Sequence, residues 1–86
     1  MRFIVYAAVR PDADAMPLLP AETARVQELI AAGTAEQSYI RADRAGAYIV
    51  IDTPDLAAAQ DVMQTLPMAQ AGILDFTYVE LAPPAS

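Results

Sequence analysis

Glu22 is the acidic residue best placed to take part in a reaction, because apolar residues surround it at helical spacing. Leu19, Val26 and Leu29 fall at positions that share one helix face with this carboxylate. A carboxylate withdrawn from water shifts toward its neutral form or finds a donor, and either condition suits a general acid or base. The alternative is that Glu22 lies half exposed in the first turn of a helix beginning at Pro20, where it complements the helix dipole.

A second group of polar and aromatic residues lies on two predicted strands, 36–42 and 47–53. Alternation places one set of side chains on the same face: Gln37, Tyr39, Arg41, Tyr48, Val50 and Asp52. Aromatic rings with an amide and a guanidinium suit a pocket for a flat, partly polar small molecule, and they suit a dimer interface equally well. Tyr6 on the first strand and Tyr78 on the last would extend either the pocket or the interface.

The residue types that are missing exclude several mechanisms. The sequence contains no His, Cys, Lys, Asn or Trp. These absences exclude Ser-His-Asp and Cys-His catalysis, Schiff-base chemistry, P-loop phosphate binding and zinc sites built on His or Cys. The carboxylates show no spacing diagnostic of a metal site, so we predict no bound metal. Proton transfer is left to Asp, Glu, Tyr, Arg or water.

Length and charge narrow the function classes further. With 86 residues and a mean hydropathy of +0.29, the chain predicts one globular domain over 1–82, followed by a C-terminal tail, 83–86. The net charge of −6 disfavours nucleic acid and anionic membranes as partners. No apolar run approaches the roughly 20 residues that cross a bilayer. Charged residues occur early in the chain, where a signal peptide would stay apolar. We therefore expect a cytoplasmic protein.

The order of predicted elements indicates the fold class. Strands are expected at 2–10, 36–42, 47–53 and 73–81, with helices ending near Ala32 and Leu66. A strand-helix-strand-strand-helix-strand order in so short a chain predicts an α+β ferredoxin-like plait, in which two helices cover one face of a four-stranded antiparallel sheet.

Local signals predict how these elements begin and end. Gly33 is expected to stop the first helix. In the hairpin we expect Ala42 to face Ala47, with Gly46 supplying a positive φ in the loop. The second helix is expected to begin with Thr53 as its hydroxyl cap and to end at Pro67.

The first and third strands carry almost continuous apolar runs, FIVYAAV and AYIVI. A sheet with helices on one side and solvent on the other would instead alternate apolar and polar residues. The uncovered face therefore predicts a second copy packed sheet against sheet, as a homodimer or a larger homo-oligomer.

The whole chain resembles the muconolactone isomerase family of dimeric α+β barrel proteins. The likeness is carried by the opening MRFIV, by the stretch AYIVIDTPDLAAAQDVMQTLP, and by a set of single positions: Gly33, Thr34, Tyr48, Val50, Asp52, Met63, Gln64, Leu66, Pro67 and Asp75. The chain departs from the family at Gln37, which replaces a histidine, and at Ile4 and Tyr6 on the first strand.

The resemblance implies cofactor-independent migration of a double bond in a small lactone. Glu22 would be the base, and Tyr39, Gln37 and Tyr6 or Arg41 would be the donors that hold the developing oxyanion. The missing histidine implies a changed substrate. The alternative from another class is a non-catalytic module that binds a small molecule or assembles with itself, and Glu22→Gln would distinguish the two because only an enzyme has turnover to lose.

Overall fold

The computed structural model describes residues 1–83, and most of the predicted tail, 84–86, lies outside them. The elements are strands β1 (Arg2–Val9), β2 (Ala35–Ile40), β3 (Gly46–Asp52) and β4 (Leu74–Leu81), and helices α1 (Leu19–Ala31), α2 (Leu56–Met63) and α3 (Pro67–Gln70), with one 3₁₀ turn at Met16–Leu18. No helix among residues 1–83 is both long enough and apolar enough to cross a membrane.

The four strands form one antiparallel sheet in the order β2-β3-β1-β4. The first strand lies in the interior of the sheet, between β3 and β4, and its residues are alternately buried and half-buried from Arg2 to Ala7. This arrangement confirms the predicted α+β ferredoxin-like plait. The second copy that the apolar runs predict stays a prediction.

The two faces of the sheet differ in what covers them. Phe3, Val5 and Ala7 of β1 are buried in one core with Met63 and Leu66 from the helical side. Alternation sends the intervening residues to the opposite side, which we call the open face. The open face carries Ile4, Tyr6, Tyr39, Arg41, Tyr48, Val50 and Val79.

The hairpin between β2 and β3 differs from the expected register by two residues. Ile40, not Ala42, pairs with Ala47, so the expected pairing of Ala42 with Ala47 was wrong. A shift by an even number keeps every side chain on its predicted face, because the side-chain period of a strand is two. The positive φ in the loop belongs to Arg44, at 63°, and not to Gly46, which is the first residue of β3.

Gly46 is required for a different reason than the one expected. A Cβ at this position would clash with the carbonyl oxygen of Ala7 and lie 2.9 Å from both Cε1 and Oη of Tyr6. The Tyr6 ring therefore lies directly across the start of β3, where only a residue without a side chain fits.

The helix boundaries confirm some local signals and correct others. Gly33, with φ of 80°, follows α1 and ends it as expected. The predicted Thr53 cap was wrong: Asp55 is the N-cap of α2, and its Oδ1 accepts a hydrogen bond of 2.8 Å from the Ala58 N–H. Thr53 is instead buried, and its hydroxyl donates to the Asp55 carbonyl at 2.9 Å. Pro67 begins α3, while α2 has already ended at Met63.

Candidate functional site

A cavity of about 550 Å³ lies between α1 and the helix-covered face of the sheet. Much of its wall is apolar and includes Val26, Ile30, Ile40, Ile49, Met68 and Leu74. Polar residues at the same wall are Glu22, Thr23, Gln27, Gln37, Ser38 and Arg44. A largely apolar hollow with a few polar groups is typical of a site for a small organic molecule.

Glu22 reaches this cavity from the first turn of α1, which begins at Leu19 and has Pro20 near its start. Its side chain is half-buried, and Oε1 accepts a hydrogen bond of 2.9 Å from the backbone N–H of Met68. Glu22 thus lies half-buried in the first helical turn and also borders the apolar hollow.

The surroundings of Glu22 change its acidity. Burial raises the pKa of this carboxyl above its usual value, because the charged form loses contact with water. The hydrogen bond from the Met68 N–H opposes this shift, since it favours the charged form, but burial is the larger cause. A carboxylate with a raised pKa takes up a proton more readily than one in open solvent.

Two polar residues of β2 border the same cavity. Gln37 pairs with Val50 in the sheet register, which places its side chain on the open face, and its Oε1 accepts a hydrogen bond of 3.1 Å from the Ser38 N–H. Within residues 1–83 the Gln37 amide nitrogen has no hydrogen-bond partner, but it lies on the side of the sheet away from the cavity. Ser38 pairs with the buried Ile49, so its hydroxyl lies on the helix-covered face at the wall of the cavity.

The other predicted site residues meet one another on the open face. The rings of Tyr6 and Tyr48 stack with centroids 4.7 Å apart, and Arg41 Nη1 donates a hydrogen bond of 2.8 Å to Tyr6 Oη. Tyr39 pairs with Tyr48 across the strands and is 58% exposed. The structure thus brings Tyr6, Tyr39, Arg41 and Tyr48 together, but it places the sheet between them and the cavity of the same chain.

Tyr78 does not extend this aromatic group, and that expectation was wrong. It pairs with Val5 of β1, so its side chain lies on the helix-covered face. There it is half-buried, and burial raises the pKa of its hydroxyl. Its ring lies near that of Phe76, with centroids 6.1 Å apart.

No family model matches the chain, and no curated protein matches it. Two of the solved structures that are similar to this chain match it over nearly their whole length. Muconolactone isomerase, in a crystal structure at 3.3 Å, is 26% identical, covers 100% of this chain and 93% of its own, and superposes with a TM-score of 0.81. The chain has the muconolactone isomerase fold. The predicted resemblance is thereby confirmed.

The same fold occurs in an enzyme of another reaction class. The 5-chloro-2-hydroxyhydroquinone dehydrochlorinase from Burkholderia phenoliruptrix AC1100, solved in complex with 2,5-dihydroxybenzoquinone, has a TM-score of 0.80 over 95% of this chain and 94% of its own. Its sequence identity is 15%, so the likeness extends to the fold alone. The muconolactone isomerase fold is thus found in two enzymes named for reactions on small molecules.

Several residues at the cavity were not predicted as site residues. Thr23 and Gln27 are spaced four apart on α1, so a wider helical stripe around Glu22 would have included them. Arg44 had no comparable signal, because its place depends on the loop conformation, which the hairpin register alone does not determine.

Proposed function

We propose that this protein is a cofactor-independent isomerase that moves a double bond in a small lactone or another cyclic metabolite. The reaction would take place in the cavity beneath α1. The observation that carries the proposal is the half-buried Glu22 carboxyl at an apolar cavity, with its pKa raised by burial. The muconolactone isomerase fold supports the proposal, and the departures at Gln37 and Tyr6 support a changed substrate.

Glu22 has the properties that a base for such a reaction needs. Oε1 is held by the Met68 N–H, while Oε2 has no hydrogen-bond partner among residues 1–83. We assign to Oε2 the removal of a proton from a carbon next to the substrate carbonyl. The same oxygen returns that proton to a different carbon, so the double bond moves and no atom is gained or lost. Burial favours the neutral carboxyl that exists between the two steps.

The negative charge that develops on the carbonyl oxygen needs donors at the cavity wall. We assign this role to the Ser38 hydroxyl, which borders the cavity from β2, because the Gln37 side chain shares the open face with Tyr39. Tyr39, which the resemblance also implied as a donor, lies on the open face with Tyr6, Arg41 and Tyr48. For these four residues we propose contact with a second copy of the chain, in a homodimer or larger oligomer.

The test is turnover by the native protein and by Glu22→Gln, with a panel that contains muconolactone, other unsaturated five-membered lactones and small cyclic enones. Proton NMR in D₂O follows both double-bond migration and deuterium uptake at carbon. We expect Glu22→Gln to lose at least about a hundredfold in rate while its fold is retained. Glu28→Gln, an exposed position on the same helix, is the matched control. Full activity in Glu22→Gln would overturn the proposal.

One observation favours the alternative, a non-catalytic module that binds a small molecule. The Glu22 carboxylate already joins α1 to α3 through Met68, which is a sufficient structural reason for an acidic residue here. A module of this kind would bind members of the panel without any change in the bound compound and without deuterium uptake.

A further inference from the structure

The cavity beneath α1 is larger than a single small ring needs. Its volume is about 550 Å³. An apolar cavity of about 150 Å³ already holds one benzene ring, and pockets of several hundred Å³ hold molecules with several rings. A monocyclic lactone would therefore fill only a minor part of this space.

The cavity is also long, because its lining follows α1 over most of the helix. Leu19, Val26 and Ile30 all border it, and their spacing of seven and four residues puts them on one side of the helix. From Leu19 to Ile30 the helix rises by about 16 Å, at roughly 1.5 Å per residue. Glu22 lies near the start of this length, so most of the cavity extends beyond it toward Ile30.

The walls along this length are apolar on both the helix and the sheet. Val26 and Ile30, both half-buried, line the cavity from α1, and the buried Ile49 lines it from β3. Ile49 lies beside Ser38 in the sheet register, so apolar surface continues directly from the hydroxyl that we assign as the donor. A hydrocarbon ring is favoured against such walls, because its transfer from water improves with the apolar area that it buries.

Two exposed apolar side chains continue this surface to the outside. Met16, in the 3₁₀ turn before α1, is 70% exposed, and Ile40, at the end of β2, is 58% exposed. Both border the cavity. Apolar groups left open at the rim of a pocket mark a place that a ligand or partner covers. One small ring bound at Glu22 would leave this rim uncovered, whereas a longer apolar molecule would reach it.

We propose that the substrates of this site are largely apolar molecules with two or more fused or linked rings, one of which carries the carbonyl group that reacts. This inference deepens the proposed function and rests on it for the word substrate. The reacting ring lies at Glu22 and Ser38. The next ring lies along α1 against Val26 and Ile30. Affinity therefore rises with each added ring until the length of the cavity is filled.

Benzamide and 2-naphthamide are the probes, because both are uncharged, carry the same carbonyl group and differ by one fused ring. Each is titrated into the ¹⁵N-labelled protein, and the amide signals of Val26, Ile30 and Ile49 report occupation of the cavity. We expect 2-naphthamide to bind at least about tenfold more tightly than benzamide, in line with the apolar area of the second ring.

Val26→Phe fills the space of the second ring and should remove the preference for 2-naphthamide. Val26→Thr keeps the shape of valine and is the milder change for folding, and its added hydroxyl should reduce the preference by about threefold. The matched control is Val62→Phe, the same substitution at a half-buried position of α2 that does not border the cavity. It should leave the preference intact.

The inference is overturned if native protein binds the two probes equally, or if Val26→Phe and Val62→Phe change the preference to the same extent. It is also overturned if the probes shift only signals of the open face. The same holds if the cavity signals respond to protein concentration and to neither probe, since a second copy would then occupy the cavity.

Neither probe has a double bond that can migrate to another ring position under these conditions, so the outcome is independent of the lactone assay. A preference that depends on Val26, combined with no turnover of any compound, would refute the isomerase and leave the site for multi-ring molecules standing. Turnover of monocyclic lactones, combined with equal binding of the two probes, would do the reverse.

Discussion

The backbone N–H of Met68 donates a hydrogen bond of 2.9 Å to Oε1 of Glu22, which joins the first turn of α1 to the first turn of α3. Both residues border the cavity. The carboxylate that we propose as the base therefore also connects two helices, and its two oxygens have separate tasks. Stability and activity should respond differently to substitutions at this position.

Glu22→Ala removes the acceptor of the Met68 N–H, and we expect it to lower the free energy of unfolding by about 1–2 kcal/mol. Glu22→Gln keeps an amide oxygen in the same place and should cost less than about 0.5 kcal/mol. Urea denaturation followed by circular dichroism measures both. Glu28→Ala, on the same helix and exposed, is the control and should change stability by less than about 0.5 kcal/mol. Equal losses in the alanine and glutamine variants would refute the role of the hydrogen bond.

The raised pKa of Glu22 predicts how the stability of the protein depends on pH. In the unfolded chain this carboxyl titrates near 4.5, and in the folded chain it titrates higher, because burial disfavours the charge. Between the two values the folded state binds more protons than the unfolded state, so stability falls as pH rises through this window. We expect the native protein to lose stability relative to Glu22→Gln between pH 4 and pH 7, in urea titrations at several pH values. A difference that stays constant, or slopes the other way, would show that burial is not the dominant cause.

The same shift predicts the pH profile of any turnover. A base must be deprotonated to act, so the rate should fall as pH drops through the raised pKa of Glu22. Rates measured between pH 4 and pH 8 on an active compound test this. A rate that does not change with pH over this range would show that Glu22 is not the base.

Gly46→Ala should be more destabilising than an ordinary glycine substitution. The added Cβ meets the Ala7 carbonyl and the Tyr6 ring, and backbone atoms cannot move aside cheaply, so we expect a loss of about 2–3 kcal/mol. Gly72→Ala is the comparison: its φ of 73° is strained for alanine, but nothing lies within 4 Å, and about 1 kcal/mol is expected. Thermal or urea unfolding of the two variants measures both losses of stability. A smaller loss at Gly46 than at Gly72 would contradict the packing argument.

Val79→Asp tests whether the open face binds a second copy. Val79 is 53% exposed and pairs with Ile4, so a charge here would be buried unpaired in a sheet-to-sheet interface. Sedimentation velocity should show native protein as a dimer or larger oligomer and Val79→Asp as a monomer. Gln60→Asp adds the same charge on the exposed side of α2 and should leave association unchanged. A native protein that is monomeric at all concentrations would end the proposal for this face.

The fold followed closely from local patterns in the chain. The apolar runs of the strands, the helical spacing after Leu19 and the stop at Gly33 all depend on interactions between near neighbours, which sequence displays directly. The assignment of Gln37, Tyr39 and Tyr48 to one side of the hairpin also held, even though the register was wrong by two residues. Period-two alternation tolerates an even shift.

Local signals were less reliable where two residue types compete for one task. Thr53 and Asp55 are both good helix caps, and the choice of Asp55 follows from the burial of Thr53, which is a tertiary property. In the hairpin, glycine was the expected residue for a positive φ, yet Arg44 takes that conformation. Gly46 is needed for a different reason, because the Tyr6 ring lies against the start of β3 and leaves no room for a side chain there.

By itself the sequence indicated the α+β plait, the helical stripe that Glu22 shares with apolar residues, and the chemistry that the missing residue types exclude. Only the tertiary structure decided that Glu22 lies on the opposite side of the sheet from Tyr6, Tyr39 and Tyr48, and that Arg44 borders the cavity. Periodicity tells which side chains share a face, because that depends on backbone geometry alone. Which face the helices cover, and what a loop presents to the space between them, depends on contacts between residues far apart in the chain.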